Sequence, residues 1–187
     1  MPLEISDVAN LPTRYGDFRI QSFKEAHKEH LVIFTHDIPA VPIVRIHSEC
    51  LTGDALGSLK CDCGDQLAYA LRTIHEHGGM VIYLRQEGRN IGLLNKVNAY
   101  ALQDKGYNTI EANHQLGFAA DERTYEIVTT ILGHYGIDTI RLLTNNPAKL
   151  EALQGITIQE RLPIIIADNP HNKNYLWVKK EQMGHLL

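Results

Sequence analysis

No stretch of this 187-residue sequence is apolar for long enough to cross a bilayer. Its first residues, Met-Pro-Leu-Glu-Ile-Ser-Asp, also lack the basic start and apolar run of a secretory leader. The expectation is a cytoplasmic protein without a membrane partner. Positive charge is not in excess either: 18 Lys and Arg against 22 Asp and Glu give a formal net charge of -4, interspersed along the chain. A duplex-binding domain normally carries a basic field, so nucleic acid is disfavoured as a partner. Internal repeats, low-complexity segments and linkers are absent, and 44% of the residues are hydrophobic, which predicts one domain over residues 1–187.

Cysteine is scarce, and its placement is informative. The chain has three, Cys50, Cys61 and Cys63, all between Arg45 and Gln66. A loop closing on itself would bring three thiolates to one point. A closed structural zinc site takes four protein ligands, whereas a catalytic zinc takes three and leaves a position for water or substrate. The spacing therefore points to an open metal site. Buried free cysteines would be the plainer reading, but Lys60, Asp62, Gly64 and Asp65 are poor company for a core. A disulfide with one thiol left over fits badly with an odd count and no leader. A four-ligand zinc completed by His47 stays open.

The remainder reads as strands alternating with helices after a more antiparallel start, a three-layer α/β/α domain with a mixed sheet. Strands are expected at Asp17 to Phe23 and Leu31 to Thr35, joined by a hairpin-like connection in which His27 and His30 are solvated. A third, Val41 to Glu49, places Arg45, His47 and Glu49 on one face and Ile46 and Ser48 on the other, a polar stripe leading into Cys50. Gln66 to His77 reads as a helix stopped by Gly78-Gly79, and Met80 to Leu84 as a buried strand delivering the loop Arg85-Gln-Glu-Gly-Arg-Asn90. Arginine forks suit phosphate, the end of a strand is where α/β proteins hold ligands, and Glu87 or Glu49 would accept guanine N–H groups. Ile91 to Lys105 reads as a helix buried through Leu94, Val97, Ala101 and Leu102. Tyr107 to Ala112 reads as a short strand with Thr109 as a hydroxyl donor. A helix carrying Ile127, Val128, Ile131 and Leu132 follows, with Asp121 as a possible N-cap. After a strand at Thr139 to Thr144, Pro147 opens a helix, so Thr144 and Lys149 stand at a natural anion site that is not a Walker loop. Two further short strands are expected, Ile156 to Glu160 and Leu162 to Ala167.

Taken together, the runs Arg45-Ile-His-Ser-Glu-Cys-Leu-Thr-Gly-Asp-Ala, Cys61-Asp-Cys-Gly, Arg85-Gln-Glu-Gly-Arg-Asn-Ile-Gly-Leu, Ala99-Tyr-Ala-Leu-Gln-Asp, Glu111-Ala-Asn-His-Gln-Leu-Gly-Phe and Leu143-Thr-Asn-Asn-Pro resemble GTP cyclohydrolase II of riboflavin biosynthesis. The resemblance runs from about Leu11 to the final Met183-Gly-His-Leu-Leu and looks like the monofunctional form, without a dihydroxybutanone-phosphate synthase domain. It implies hydrolysis of GTP to formate, pyrophosphate and 2,5-diamino-6-ribosylamino-4(3H)-pyrimidinone 5′-phosphate. Zinc on Cys50, Cys61 and Cys63 would activate water for attack at the purine C8. By the same resemblance Arg123 would act at the α-phosphorus as a nucleophile, or only stabilise charge there, with Asp121 as proton acceptor, and Tyr100 would orient or protonate a ring nitrogen. The matching GTP contacts are Arg45, Ile46, His47, Ser48, Glu49, Gln66, Glu87, Gly88, Arg89, Thr109, Thr144 and Lys149. Magnesium is expected on the triphosphate and a homodimer as the assembly. The competing class is a zinc-stapled nucleotide- or RNA-binding module, which would have a fourth protein ligand and leave GTP intact. Within the enzyme class, a relative can stop at the formamidopyrimidine or at GMP.

Overall fold

A computed structural model describes residues 3–187. Its centre is one mixed sheet. The strands are β1 (Glu4–Ile5), β2 (Ala9–Thr13), β3 (Gly16–Glu25), β4 (Lys28–Phe34), β5 (Ile43–Ser48), β6 (Gly79–Leu84), β7 (Thr139–Leu143) and β8 (Thr157–Leu162), in the order β1-β3-β4-β6-β5-β7-β8. β1 and β2 pair in succession along β3, forming one interrupted edge. β3, β4 and β6 pair antiparallel, whereas β6-β5-β7-β8 is parallel throughout. The chain goes from β5 to β6 on one side and then returns to β7 on the other, so strand order reverses at β5. Carboxyl ends of parallel strands at such a reversal are where open α/β sheets bind ligands.

The helices are α1 (Leu51–Asp54), α2 (Cys63–His77), α3 (Gly92–Gln103), α4 (Thr109–Gln115), α5 (Glu126–His134), α6 (Pro147–Glu151) and α7 (Lys173–Met183). Two of them cover opposite faces of the sheet, giving the three-layer α/β/α arrangement expected. Ala70, Leu71 and Ile74 of α2 pack with Phe18, Ile43, Val81 and Leu143. Ile127, Val128, Ile131 and Leu132 of α5 pack with Phe23, Val32, Val44, Ile46 and Ile82. Pleating explains why β5 serves both layers: Val44 and Ile46 feed the α5 side, while Ile43, Arg45 and His47 project to the α2 side. Among the described residues no helix is long and apolar enough to cross a membrane.

Several local expectations are corrected. The hairpin strands run on through a tight turn, which puts His30 in β4 in phase with the buried Val32 and Phe34, so it is 1% exposed rather than solvated. The segment expected as a strand at Tyr107 to Ala112 instead opens α4. Asn108 accepts from the Ile110 and Glu111 N–H groups while Glu111 accepts from the Asn108 N–H, a reciprocal cap that commits these residues to helix. Past Leu162 no second strand forms, because Pro163 has no donor and Ile164 is tied to the Asn145 side chain. α5 starts from Tyr125, so Asp121 is no helix cap. α3 faces the other way from its expected orientation. Its buried residues are Lys96 and Ala99, and Leu94 and Val97 are 77% and 52% exposed.

Candidate metal centre and active site

The thiols come from the two ends of the β5 to β6 connection. Cys50 follows the last residues of β5, and Cys61 and Cys63 lead into α2. Two glycines let these segments meet. A Cβ on Gly53 would stand 2.8 Å from Cys61 Sγ, and one on Gly64 would stand 2.4 Å from the Gly53 carbonyl oxygen. All three sulfurs lie within 4.8 Å of one another, with Cys50 and Cys61 3.6 Å apart. Sulfurs held by one zinc at about 2.3 Å in tetrahedral array stand roughly 3.8 Å apart, so the donor set fits such an ion. His47 is not part of the group. Its Nε2 donates to Asp54 at 3.0 Å, which leaves no fourth protein ligand among the described residues.

Electrostatics favour a cation here. Hydrogen bonds from Cys61 and Cys63 pull the Cys50 thiol far below its usual range, against burial, with Lys96 adding to the effect. The same contact with Cys50 pushes Cys61 up to about 11, and contacts with Cys50 and Cys61 hold Cys63 well above the usual thiol value. One negative charge is thus shared among three sulfurs, and a bound divalent ion is what lets all three ionise.

The surroundings of Cys50 are tightly braced. The Asp54 carboxylate accepts from the Cys50 N–H at 3.0 Å, the Tyr83 hydroxyl at 2.7 Å and His47. Lys96 Nζ donates to Cys50 Sγ at 3.1 Å and to Glu87 Oε1 at 2.6 Å, and Glu87 also accepts from the N–H groups of Leu51 and Gly88. Neither Lys96 nor Asp54 stood out in the sequence. The signal for Lys96 was there as the polar stripe Lys96, Tyr100 and Gln103 on α3, opposite the apolar residues assigned inward.

Two adjoining cavities share Cys63, Arg89 and Tyr175 as a common wall. The first holds the thiols together with Tyr100, Thr109 and Asn113. Tyr100 Oη is 3.2 Å from Thr52 Oγ1, and burial raises its pKa, so it stands there as a protonated donor. The second cavity is lined by cations: Arg45, Arg89, Arg123, Lys149 and Lys179, with Ser48, Gln66 and Thr144 as polar partners. Lys149 is 4% exposed and donates to the Ile46 carbonyl at 2.7 Å; burial, then Arg45, Arg123 and Lys179, hold its pKa well below the usual lysine value. Burial likewise lowers Arg45 to about 10. Arg45 donates to the Leu143 carbonyl and to Gln66, but its Nε, like His47 Nδ1, is buried with no partner among the described residues. Buried cations with spare donors describe an anion pocket.

Arg123 reaches this pocket as half of a pair. Its Nε donates to Asp121 Oδ1 at 2.8 Å, and its Nη2 meets the other oxygen. Against desolvation by burial, that carboxylate keeps the guanidinium pKa above its usual value. The loop after β6 holds the pair in place: Arg89 donates to the Ala120 carbonyl, and its own carbonyl accepts from the Glu122 N–H. Gly88, Arg89 and Asn90 all have positive φ, at 60°, 60° and 75°. Left-handed backbone at two non-glycine residues in succession costs energy, and such strain gathers where a loop is shaped for a ligand.

Most of the expected contacts thus converge, and a few do not. The Ile46 side chain lies in the core under α5, and only its carbonyl reaches the pocket, where it is taken by Lys149. Glu49 pairs with Arg85 at 2.9 Å, and both Glu49 and Glu87 face a separate cleft with Asn90. Thr109 reaches its cavity from the first turn of α4 rather than from a strand.

Comparison with known proteins gives a consistent family. The model of the family described as GTP cyclohydrolase II matches residues 4–163. A GTP cyclohydrolase-2 from Campylobacter fetus subsp. fetus is 67% identical over 97% of this chain and 95% of its own. One from Campylobacter hominis is 63% identical over 100% of this chain and 97% of its own. One from Helicobacter hepaticus is 59% identical over the full length of both.

Proposed function

The chain belongs to the GTP cyclohydrolase II family and is an enzyme, and we propose that it converts GTP to formate, pyrophosphate and 2,5-diamino-6-ribosylamino-4(3H)-pyrimidinone 5′-phosphate. The observation that carries this reading is the shared wall between the two cavities. A cavity with three thiols and a protonated tyrosine adjoins a cavity lined by arginines and lysines, so a purine would lie in one and its phosphates in the other. Three soft thiolates suit zinc, which would supply activation of water for attack at the purine C8 and at the formamide left by ring opening.

The protein groups then divide the work. Tyr100 holds its proton and offers it to a ring nitrogen as the imidazole opens. Arg45, Arg89 and Lys149, with Ser48, Gln66, Gly88, Thr109 and Thr144, bind the nucleotide through side chains or backbone. His47 is held neutral by burial, and Asp54 accepts its Nε2–H, so Nδ1 is an acceptor for a ligand hydroxyl. Arg123 meets the α-phosphate with a full charge, and it becomes a nucleophile only by passing a proton to Asp121. Glu87 braces Cys50 through Lys96. For Glu87 or Glu49 to reach guanine, each must first leave its present partner.

Magnesium would come with the triphosphate, whose oxygens are the hard ligands it prefers. The thiols must stay reduced to hold a metal, which favours the cytoplasm. The outward apolar residues of α3 support a homodimer in which the chain acts as a single cyclohydrolase domain. The test is to incubate protein of known zinc content with GTP and magnesium and to quantify formate, pyrophosphate and the diaminopyrimidine together. Equimolar release of all three is expected. Release of formate without pyrophosphate, or GTP left intact beside tightly bound zinc, would overturn the reading.

A further inference from the structure

The family match ends at residue 163, yet the chain beyond that point closes the cation-lined cavity. Asn145 clamps Ile164 through both backbone groups, turning the chain back over the carboxyl end of β7, and α7 then runs beside the site. Tyr175, Lys179 and Met183 recur at four-residue spacing, so one face of α7 lines the cavity for two turns. The opposite side carries Trp177, 53% exposed. Gly184 is left-handed at φ 67° and turns the tail inward. The Leu186 N–H donates to the Asn145 carbonyl at 2.8 Å, which brings His185 to the same cavity.

Lys179 is 8% exposed and is tied into the site rather than merely packed beside it. Its Nζ donates to Asp62 Oδ1 at 2.8 Å, and Asp62 also accepts from Gln66, whose oxygen accepts from Arg45. The residue between Cys61 and Cys63 thus links α7 to the pocket arginine. Burial, with Lys179, Arg123, Lys149 and Arg89 facing it, pushes His185 down to about 3, so it is neutral at ordinary pH. Asp62 offsets the charge of Lys179 and Asp121 that of Arg123, but the five cationic side chains lining this cavity outnumber those two carboxylates, which favours a bound anion.

We propose that α7 and the tail are part of the substrate site, with Lys179 and His185 contacting the phosphate chain of the nucleoside triphosphate and Tyr175 forming the wall between phosphates and base. The phosphate assignment rests on the reading of the chain as a GTP hydrolase. Binding of inorganic pyrophosphate, followed by calorimetry on the full-length protein, tests the contacts without turnover. Lys179→Gln is expected to weaken pyrophosphate about tenfold and His185→Ala about threefold, Lys179→Arg to restore most of the loss, and Lys180→Gln, an exposed neighbour, to change nothing. In turnover, Lys179→Gln should raise KM for GTP far more than it lowers kcat, and inhibition by guanosine should be unaffected. Pyrophosphate binding that is unchanged in both Lys179→Gln and His185→Ala would overturn the inference. Equal weakening of pyrophosphate and guanosine would also overturn it, by making α7 a support rather than a contact. A wild-type protein that leaves GTP intact but binds pyrophosphate through Lys179 would sink the proposed reaction and leave these contacts standing.

Discussion

Replacing Lys96 by methionine probes the bracing of the metal centre with little change in side-chain volume. Lys96 is 8% exposed and donates to both Cys50 Sγ and Glu87. Three thiolates around a divalent ion carry a formal charge of minus one, and Lys96 is the cation in direct contact with that group. Its loss removes a charge-assisted hydrogen bond from a sulfur and leaves Glu87 buried. Breaking a buried pair costs about 3 to 5 kcal/mol when the remaining charge has no other partner. Glu87 keeps the Leu51 and Gly88 N–H groups, so a loss of stability of about 2 kcal/mol is expected. Groups that hydrogen-bond a metal ligand are typically worth about 10- to 100-fold in metal affinity, and a loss in that range is expected for zinc. Competition against a chromophoric chelator measures the affinity, and urea unfolding of zinc-free protein measures the stability. Lys96→Arg should recover part of both. Zinc affinity within about twofold of the parent, in a variant whose stability has fallen as expected, would refute the idea that Lys96 acts on the thiolate group.

Other consequences are equally specific. Tyr100→Phe should keep GTP binding and lower formate release by about 100-fold, in line with the loss of a positioned proton donor; formate release at the parental rate would remove that role. Leu94→Glu places a charge on the outward apolar face of α3 and should shift light-scattering mass from dimer to monomer; a dimer that persists would point to a different surface. For His30, burial first and then Lys28 and Arg85 lower its pKa from 6.5 to about 4, so the unfolded chain takes up this proton more readily than the folded one. Its contribution is complete above pH 6.5 and is lost as the pH falls to about 4, a change of about 3 kcal/mol. His30→Asn, which keeps an acceptor for the Arg85 N–H, should flatten that part of the stability profile, and an unchanged slope would assign it to other groups.

Where a segment faces an apolar core on one side, its role was legible in the sequence. The spacing of Ile127, Val128, Ile131 and Leu132 gave α5 and its buried face, and the alternation along β5 gave the inward set of Arg45 and His47. Carried one residue further back than Leu31, the same period-2 logic would have put His30 in phase with Val32 and Phe34, but its charge and its neighbours suggested a loop. α3 was misjudged for a physical reason. It carries an apolar stripe and a polar one, and only the presence of the thiol-lined cavity decides that Lys96 and Tyr100 turn inward while Leu94 and Val97 face out. The Asn108 to Glu111 cap was readable as a helix start and outweighs the β-tendency of Tyr107 and Ile110. α7 gave little pattern because the face it buries is itself polar, through Tyr175 and Lys179, against a charged pocket. The cysteine triad was the most legible part of the site, since few other arrangements explain three thiols so close in a charged segment.

The most direct test of the central claim is a metal titration of stripped, reduced protein, following formate release from GTP as zinc is added back. The account predicts no formate without metal, a rise that is linear and saturates at about one zinc per chain, and no recovery in Cys61→Ser. Formate released at the full rate by protein free of bound metal, or full activity retained in Cys61→Ser, would contradict it.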